Sequence, residues 1–134
     1  MKPNWPHMES FFYYKGYACV VLLQRMGHRC GYVGIPASKP HYGESYMHLE
    51  NIECHGGLTY SDTYMPADVP KGLWWIGFDC AHWQDAPDVE ATRKIFGEYE
   101  ALRSERLMDS CPVVRTQEYC EEQCRNIVDQ LLKE

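Results

Sequence analysis

Two short motifs carry most of the side chains in this sequence that could do chemistry. The first is His55-Gly56-Gly57, and the second runs from Asp79 through Cys80 and Ala81 to His82 and reaches Asp85. Together they supply two imidazoles and two carboxylates, a ligand set that suits Zn²⁺, Mn²⁺ or Fe²⁺. Because the three residues of the second motif are spaced by three, a helical turn would project them toward one side.

Three interpretations of these motifs stay open. In the first, a divalent metal is held by the four side chains of His55, Asp79, His82 and Asp85. In the second, no metal is bound, Asp79 orients an imidazole, and the catalytic residues that move a proton are His55 or His82. In the third, Asp79 caps the following turn and His82 is a structural hydrogen-bonding residue. The spacing matches neither HExxH nor paired CxxC, so the residue pattern alone does not choose.

Two strands must bring the motifs together across a loop at residues 61–72. Residues 49–61 alternate between apolar and polar side chains with a period of two, which predicts a third strand of the chain. Residues 73–78 predict a fourth strand, with Trp74 on one face and Trp75 on the other. Antiparallel pairing of these two strands would gather one polar face from both motifs.

A register centred on that loop defines the predicted ligand face. It places Glu53 opposite Asp79, His55 opposite Gly77 and Gly57 opposite Trp75. The glycines leave a depression there, and the ring of Trp75 would form an aromatic floor for a planar base. The predicted ligand-binding residues are Glu53, His55, Gly57, Thr59, Trp75, Asp79 and His82. The nearest candidates for contacting a phosphate are Arg29, Arg115 and Lys71.

The rest of the chain predicts an α+β fold, an antiparallel β-sheet of about four strands packed by a C-terminal helix and one further helix. Residues 16–23 and 29–35 predict a hairpin, after an extended or short helical lead-in at residues 1–15. Residues 88–106 predict one helix, although Gly97 weakens its middle. The last helix has Thr116 as its N-cap. Its apolar stripe is formed by Cys120, Cys124, Ile127, Val128 and Leu131.

Composition narrows the function classes. A chain of 134 residues with 45% hydrophobic residues predicts a single domain over residues 1–134. The net charge of −6 argues against duplex nucleic acid as a partner, because that binding depends on neutralising phosphates. The N-terminal residues lack an apolar signal core and no apolar run is long enough to span a bilayer, so we expect a cytoplasmic protein without a membrane partner. The seven cysteines are then expected to be reduced thiols.

Several segments of the chain are similar to a widespread family of small uncharacterised proteins of bacteriophages and prophages. The segments that carry the resemblance are Gly16–Val21, Met26–Pro36, His55–Tyr60 with its HGGLTY motif, Trp74–Asp85 with its WWIGFDCAHxxD motif, and Glu118–Leu131. The resemblance implies a phage accessory role in the bacterial host cytoplasm, such as countering a host defence. Residues 88–112 depart from the family pattern.

The residues and the resemblance together lead to one functional hypothesis and two rivals. The leading hypothesis is an anti-defence protein that binds a nucleotide-type small molecule at the face containing His55, Trp75, Asp79 and His82. The first rival is a metal-dependent hydrolase, a phosphodiesterase, that uses the four metal candidates to activate water. The second is a protein-only inhibitor of a host defence enzyme. The sequence leaves both a homo-oligomer and the identity of the ligand open.

Overall fold

Five antiparallel strands form the main sheet of this protein. The computed structural model describes residues 6–106 and 113–133. The strands lie in the order β1-β2-β3-β5-β4. Their bounds are β1 His7–Tyr14, β2 Tyr17–Leu23, β3 Arg29–Ile35, β4 Tyr60–Asp62 and β5 Trp74–Asp79. The α+β fold and the antiparallel sheet are confirmed, and β1 adds a strand where residues 1–15 were predicted as a lead-in. The first five residues of that lead-in lie outside the described residues.

One face of the sheet is covered by the C-terminal helix, α3, which spans Gln117–Lys133. The backbone N–H of Tyr119 donates to Thr116 Oγ1 at 3.1 Å, so the predicted N-cap is confirmed. The predicted apolar stripe of α3 is buried along its whole length. It packs against side chains of the sheet that include Val21, Val33 and Phe78. This contact forms the larger of two apolar clusters and fixes α3 beside the loop at residues 49–59.

The opposite face of the sheet is covered by the loop between β4 and β5. Met65 of that loop packs with Trp75, Ala18 and Val20 in a second apolar cluster. Every residue of β2 is therefore buried, because apolar side chains cover both faces of the sheet. The predicted facing of β5 is confirmed, since Trp74 contacts the first cluster and Trp75 belongs to the second.

The predicted third strand is wrong over most of its length. Of residues 49–61, only Tyr60 and Ser61 lie in a strand, and the rest form turns and irregular backbone. Strand β4 does pair antiparallel with β5, but Gly77 lies opposite Tyr60 and not opposite His55, a shift of five residues (55 to 60). The space left by Gly77 is filled by Tyr32, whose ring carbon would lie 2.3 Å from an added Cβ.

The region after β5 contains three shorter pieces. A two-stranded parallel sheet joins β6, Asp85–Ala86, to β7, Val113–Val114. Between them lie two helices, α1 Val89–Phe96 and α2 Glu98–Glu105, and not the single helix predicted over residues 88–106. The break falls at Gly97, whose φ of 104° lies outside the helical region. Among the described residues, no helix is long and apolar enough to cross a membrane.

Candidate functional site

A tight turn presents His55 to the rest of the site. The N–H of Gly57 donates to the carbonyl of Cys54 at 2.9 Å, which closes a four-residue turn with His55 and Gly56 at its centre. Gly56 has a φ of 70°, a conformation that favours glycine. An added Cβ on Gly56 would lie 2.3 Å from Cε1 of His82. The first glycine of the motif is therefore needed both for the turn and for the contact with His82.

Two glutamine side chains of α3 bond to the backbone of this loop. They take the place of the hydrogen bonds that a neighbouring strand would make. The N–H of His55 donates to Gln123 Oε1 at 2.8 Å. Gln130 accepts the N–H of Glu53 at 2.7 Å and donates its Nε2–H to the carbonyl of the same residue at 2.7 Å. These bonds satisfy the polar backbone of an irregular segment. They also fix His55 relative to α3.

The second motif forms another turn directly after β5. The N–H of Asp85 donates to the carbonyl of His82 at 2.8 Å, so Trp83 and Gln84 are the two central residues of this turn. Asp79 Oδ1 accepts the N–H of Ala81 at 3.1 Å, which is the capping contact expected of a structural aspartate. The capping bond and the approach of His82 involve the same oxygen, Oδ1, and a carboxylate oxygen can accept more than one donor.

The carboxylate of Asp85 is the centre of the site. Its Oδ2 lies 2.9 Å from Nε2 of His55 and 3.0 Å from Nδ1 of His82. The same oxygen accepts the backbone N–H of His82 at 3.1 Å. Its Oδ1 accepts Nε–H of Arg115 at 2.8 Å, a residue that β7 brings beside β6. Since the side chain of Asp85 is only 1% exposed, these donors replace nearly all of its hydration.

The ionisation of Asp85 is set by two opposing effects. Burial is the largest and would raise the pKa of the carboxyl group, because it penalises the charged form. The hydrogen bonds from Arg115, His55 and His82 together outweigh it and hold the pKa of Asp85 well below its ordinary value. Asp85 is therefore an ionised acceptor at neutral pH, and both neighbouring imidazoles direct an N–H toward it.

Each histidine has a further polar partner on its outer nitrogen. Nδ1 of His55 lies 2.8 Å from the hydroxyl of Tyr119, whose ring stands edge-on to the imidazole at 5.4 Å. Nε2 of His82 lies 3.7 Å from Oδ1 of Asp79. The two imidazole centroids are 5.5 Å apart. The His55 ring is thus held from both sides, whereas the His82 ring is held by Asp85 and its contact with Asp79 is longer than a hydrogen bond.

This cluster could hold a metal ion. His55, His82 and Asp85 each offer one ligand atom, and these atoms lie within 4.8 Å of one another. The set is smaller than predicted, because Asp79 is not among the converging residues and its Oδ1 lies 3.7 Å from Nε2 of His82. Three protein ligands with a remaining open position are typical of catalytic zinc sites.

The structure does not bring Trp75 to the site. Trp75 is 1% exposed and packs in the second apolar cluster, so the predicted aromatic floor is wrong. The predicted register is also wrong, because the strand that was expected to contain His55 and to pair with the strand of Trp75 does not form at His55. The side chain of the predicted ligand residue Glu53 lies in an exposed position, and the contacts of this residue with α3 are made by its backbone.

The remaining predicted residues lie at the edge of the site or away from it. Thr59 donates to Asp79 Oδ2 at 3.3 Å, so it does border the site. Gly57 has open space within 4 Å of an added Cβ and lines a shallow cavity of about 340 Å³ with Ile52 and Leu58. Arg29 is buried and bonded to Glu9 and Asp88, and it is not available to a phosphate.

Three residues of the site were not assigned to it from the sequence. Arg115, considered only as a phosphate contact, anchors Asp85 and stacks its guanidinium on the Tyr119 ring at 5.2 Å. Tyr119 and Gln123 are four residues apart on α3, so they project from one helix face toward His55. That spacing was a usable signal, but the polar face of an amphipathic helix ordinarily faces solvent.

The cysteines next to the motifs are packing residues. Sγ of Cys80 lies 3.7 Å from Sγ of Cys120, and all six described cysteines are free thiols, as predicted. The seventh, Cys111, lies outside the described residues. Burial raises the pKa of Cys54 to about 11, so its thiol is not a reactive thiolate at neutral pH.

Comparison with known proteins adds no assignment to this geometry. No protein-family model, no curated protein and no solved structure matches the chain.

Proposed function

We propose that this protein is a metal-dependent hydrolase of phosphate esters, in which His55, His82 and Asp85 hold a divalent ion of the Zn²⁺ type. The observation that carries the proposal is that both imidazoles meet one carboxylate oxygen. Nε2 of His55 and Nδ1 of His82 lie 2.9 and 3.0 Å from Oδ2 of Asp85. Tetrahedral zinc needs ligand atoms about 3.3 Å apart, as follows from bonds of about 2.0–2.1 Å. Each histidine nitrogen would therefore have to move only a few tenths of an ångström further from Asp85 Oδ2 to make room for the ion.

The outer contacts of the three ligands support this proposal. A histidine that binds zinc ordinarily donates its other ring N–H to an acceptor. Tyr119 oxygen is at that position for His55, at 2.8 Å, whereas Asp79 Oδ1 lies 3.7 Å from Nε2 of His82 and would have to move closer to accept its N–H. The second oxygen of Asp85 accepts from Arg115. On binding the ion, each imidazole would change tautomer: the ligand nitrogen would lose the proton that now faces Asp85, and the outer ring nitrogen would carry the N–H.

The chemistry would be activation of water. An ion held by three protein ligands keeps an open position, and it lowers the pKa of a bound water toward neutrality. Arg115 supports phosphate as the reacting group. In the described part of the chain, neither terminal nitrogen of Arg115 donates a hydrogen bond. The two terminal nitrogens of a guanidinium match a pair of phosphate oxygens.

A chelation experiment tests this proposal. The purified chain is stripped of metal, titrated with Zn²⁺ and Mn²⁺, and assayed with bis-p-nitrophenyl phosphate. We expect one ion per chain, hydrolysis only in the loaded protein, and loss of both in His82→Ala. The matched control is His48→Ala, which removes an exposed imidazole in a 3-10 turn. Turnover that survives chelation, or equal metal binding by His82→Ala, would contradict the proposal.

In the phage setting that the resemblance suggests, the phosphate ester would be a host defence signal. A pure sequestering protein would return its ligand intact after denaturation, whereas a hydrolase returns cleaved product. A protein-only inhibitor would keep its effect on the host when His82 and Asp85 are replaced. These outcomes separate the three hypotheses with one set of variants.

A further inference from the structure

Trp83 is the most exposed large hydrophobic residue that the structure describes, with 80% of its surface open to solvent. Tryptophan is on average a well-buried residue, and an exposed indole leaves its ring face open for a planar group to stack on. The ring of Trp74, by comparison, donates its Nε1–H to the carbonyl of Glu44 at 2.8 Å. Trp83 forms no ring contact, cation–π pair or hydrogen bond with any other described residue.

The position of Trp83 ties this ring to the site. It is a central residue of the turn closed by the N–H of Asp85 and the carbonyl of His82. Both residues that close the turn are proposed metal ligands. The same Asp85 binds Arg115, which has two terminal nitrogens to offer. This turn thus carries the open ring between two candidate metal ligands, and Asp85, which closes the turn, also binds the Arg115 guanidinium.

We infer that the substrate is a nucleotide-type molecule whose base stacks on Trp83 while its phosphate lies between Arg115 and the ion. This inference rests on the proposed function and names its substrate class. A planar base is favoured over a protein partner, because stacking needs only one open ring, and a nucleotide also carries the phosphate that Arg115 and the ion would bind. Trp83 thereby takes the place that the sequence had given to Trp75.

Paired ligands test the inference directly. Binding of adenosine monophosphate is compared with that of ribose 5-phosphate, which carries the phosphate without the base, both in metal-free protein and with one equivalent of Zn²⁺. We expect the nucleotide to bind more tightly. Trp83→Ala should weaken nucleotide binding by roughly 5- to 150-fold, the range of a single base–aromatic stack, and leave ribose 5-phosphate unchanged. Trp83→Phe should recover part of the loss.

The control is Tyr99→Ala, which removes another exposed ring, on α2. It should leave both affinities unchanged. Equal affinity for the two ligands, no saturable nucleotide binding, or a Trp83→Ala variant that binds like wild type would overturn the inference. Failure of the metal proposal looks different, because a Trp83-dependent preference for the nucleotide would then persist without metal binding or turnover.

Discussion

Replacing Asp85 by Asn tests whether one buried carboxylate organises the site. Asparagine keeps the size of the side chain but exchanges one acceptor oxygen for a donor NH₂ group. In the native chain the two oxygens face N–H groups of Arg115, His55 and His82 at 2.8–3.1 Å. At least one of these donors would then face another donor, in a position only 1% exposed.

The expected cost follows from these contacts. Leaving a buried donor unpaired costs about 1–3 kcal/mol, and breaking a buried ion pair about 3–5 kcal/mol. Because the Arg115 side chain is 21% exposed and water relieves part of its loss, we expect a decrease of about 3 kcal/mol in the free energy of unfolding. With a urea m-value of about 1.5 kcal/mol/M, the unfolding midpoint would fall by about 2 M.

Urea unfolding at pH 7 measures this change, with Asp68→Asn as the control at an exposed loop position. The control should stay within about 0.5 kcal/mol of wild type. A loss that small in Asp85→Asn would refute the reasoning, because it would mean that the carboxylate does not hold its neighbours.

The pH dependence of the same pair of proteins gives a second check. The pKa of Asp85 is lower in the folded chain than its ordinary value, so on acidification the unfolded chain takes up the proton first. Its contribution is therefore fully present well above about pH 4 and is lost as the pH falls below that value toward the folded pKa. The stability difference between wild type and Asp85→Asn should shrink in that acid range. A difference that grows on acidification would contradict the depressed pKa.

The other predictions concern the contacts around the two histidines. Gly56→Ala should lower Zn²⁺ affinity at least tenfold, because its Cβ would displace the His82 ring. Gly57 also has a positive φ, but an added Cβ there meets open space. Gly57→Ala should therefore cost only about 1 kcal/mol of stability, measured by urea unfolding, and should keep the Zn²⁺ affinity, measured by calorimetry. Tyr119→Phe removes the hydroxyl that contacts His55 Nδ1 and should weaken metal binding by roughly 10- to 100-fold. Tyr99→Phe should leave metal binding unchanged. Equal binding by the two variants would contradict a role for the Tyr119 hydroxyl in holding His55.

The sequence predicted those elements whose apolar pattern matched their packing. Strand β2 is a continuous apolar run and is buried on both faces, and the stripe of α3 lies on the sheet as its spacing indicated. The break between α1 and α2 was not predicted, because the helical spacing of apolar residues continues through Gly97 although the backbone at Gly97 is not helical.

Three of the residues predicted for the site, His55, His82 and Asp85, do lie together, but the predicted strand pairing is not what positions them. The alternation in residues 49–61 imitates a strand, whereas Gln123 and Gln130 of α3 supply the hydrogen bonds that a neighbouring strand would have made. A tertiary contact of this kind leaves no periodic signal in the loop itself. The same error moved Trp75 into the site and left Trp83 unnoticed. His55, His82 and Asp85 still come together, because two turns replace the predicted strand pairing.

The proposed metal centre is tested most directly by zinc X-ray absorption on the reconstituted chain. Our account predicts one Zn²⁺ per chain with nitrogen and oxygen ligands at about 2.0–2.1 Å, two of them imidazoles, and no such ion in Asp85→Asn. Sulfur ligands at about 2.3 Å, which the neighbouring thiols of Cys80 and Cys120 could supply, would contradict it. So would a wild-type chain that retains no zinc.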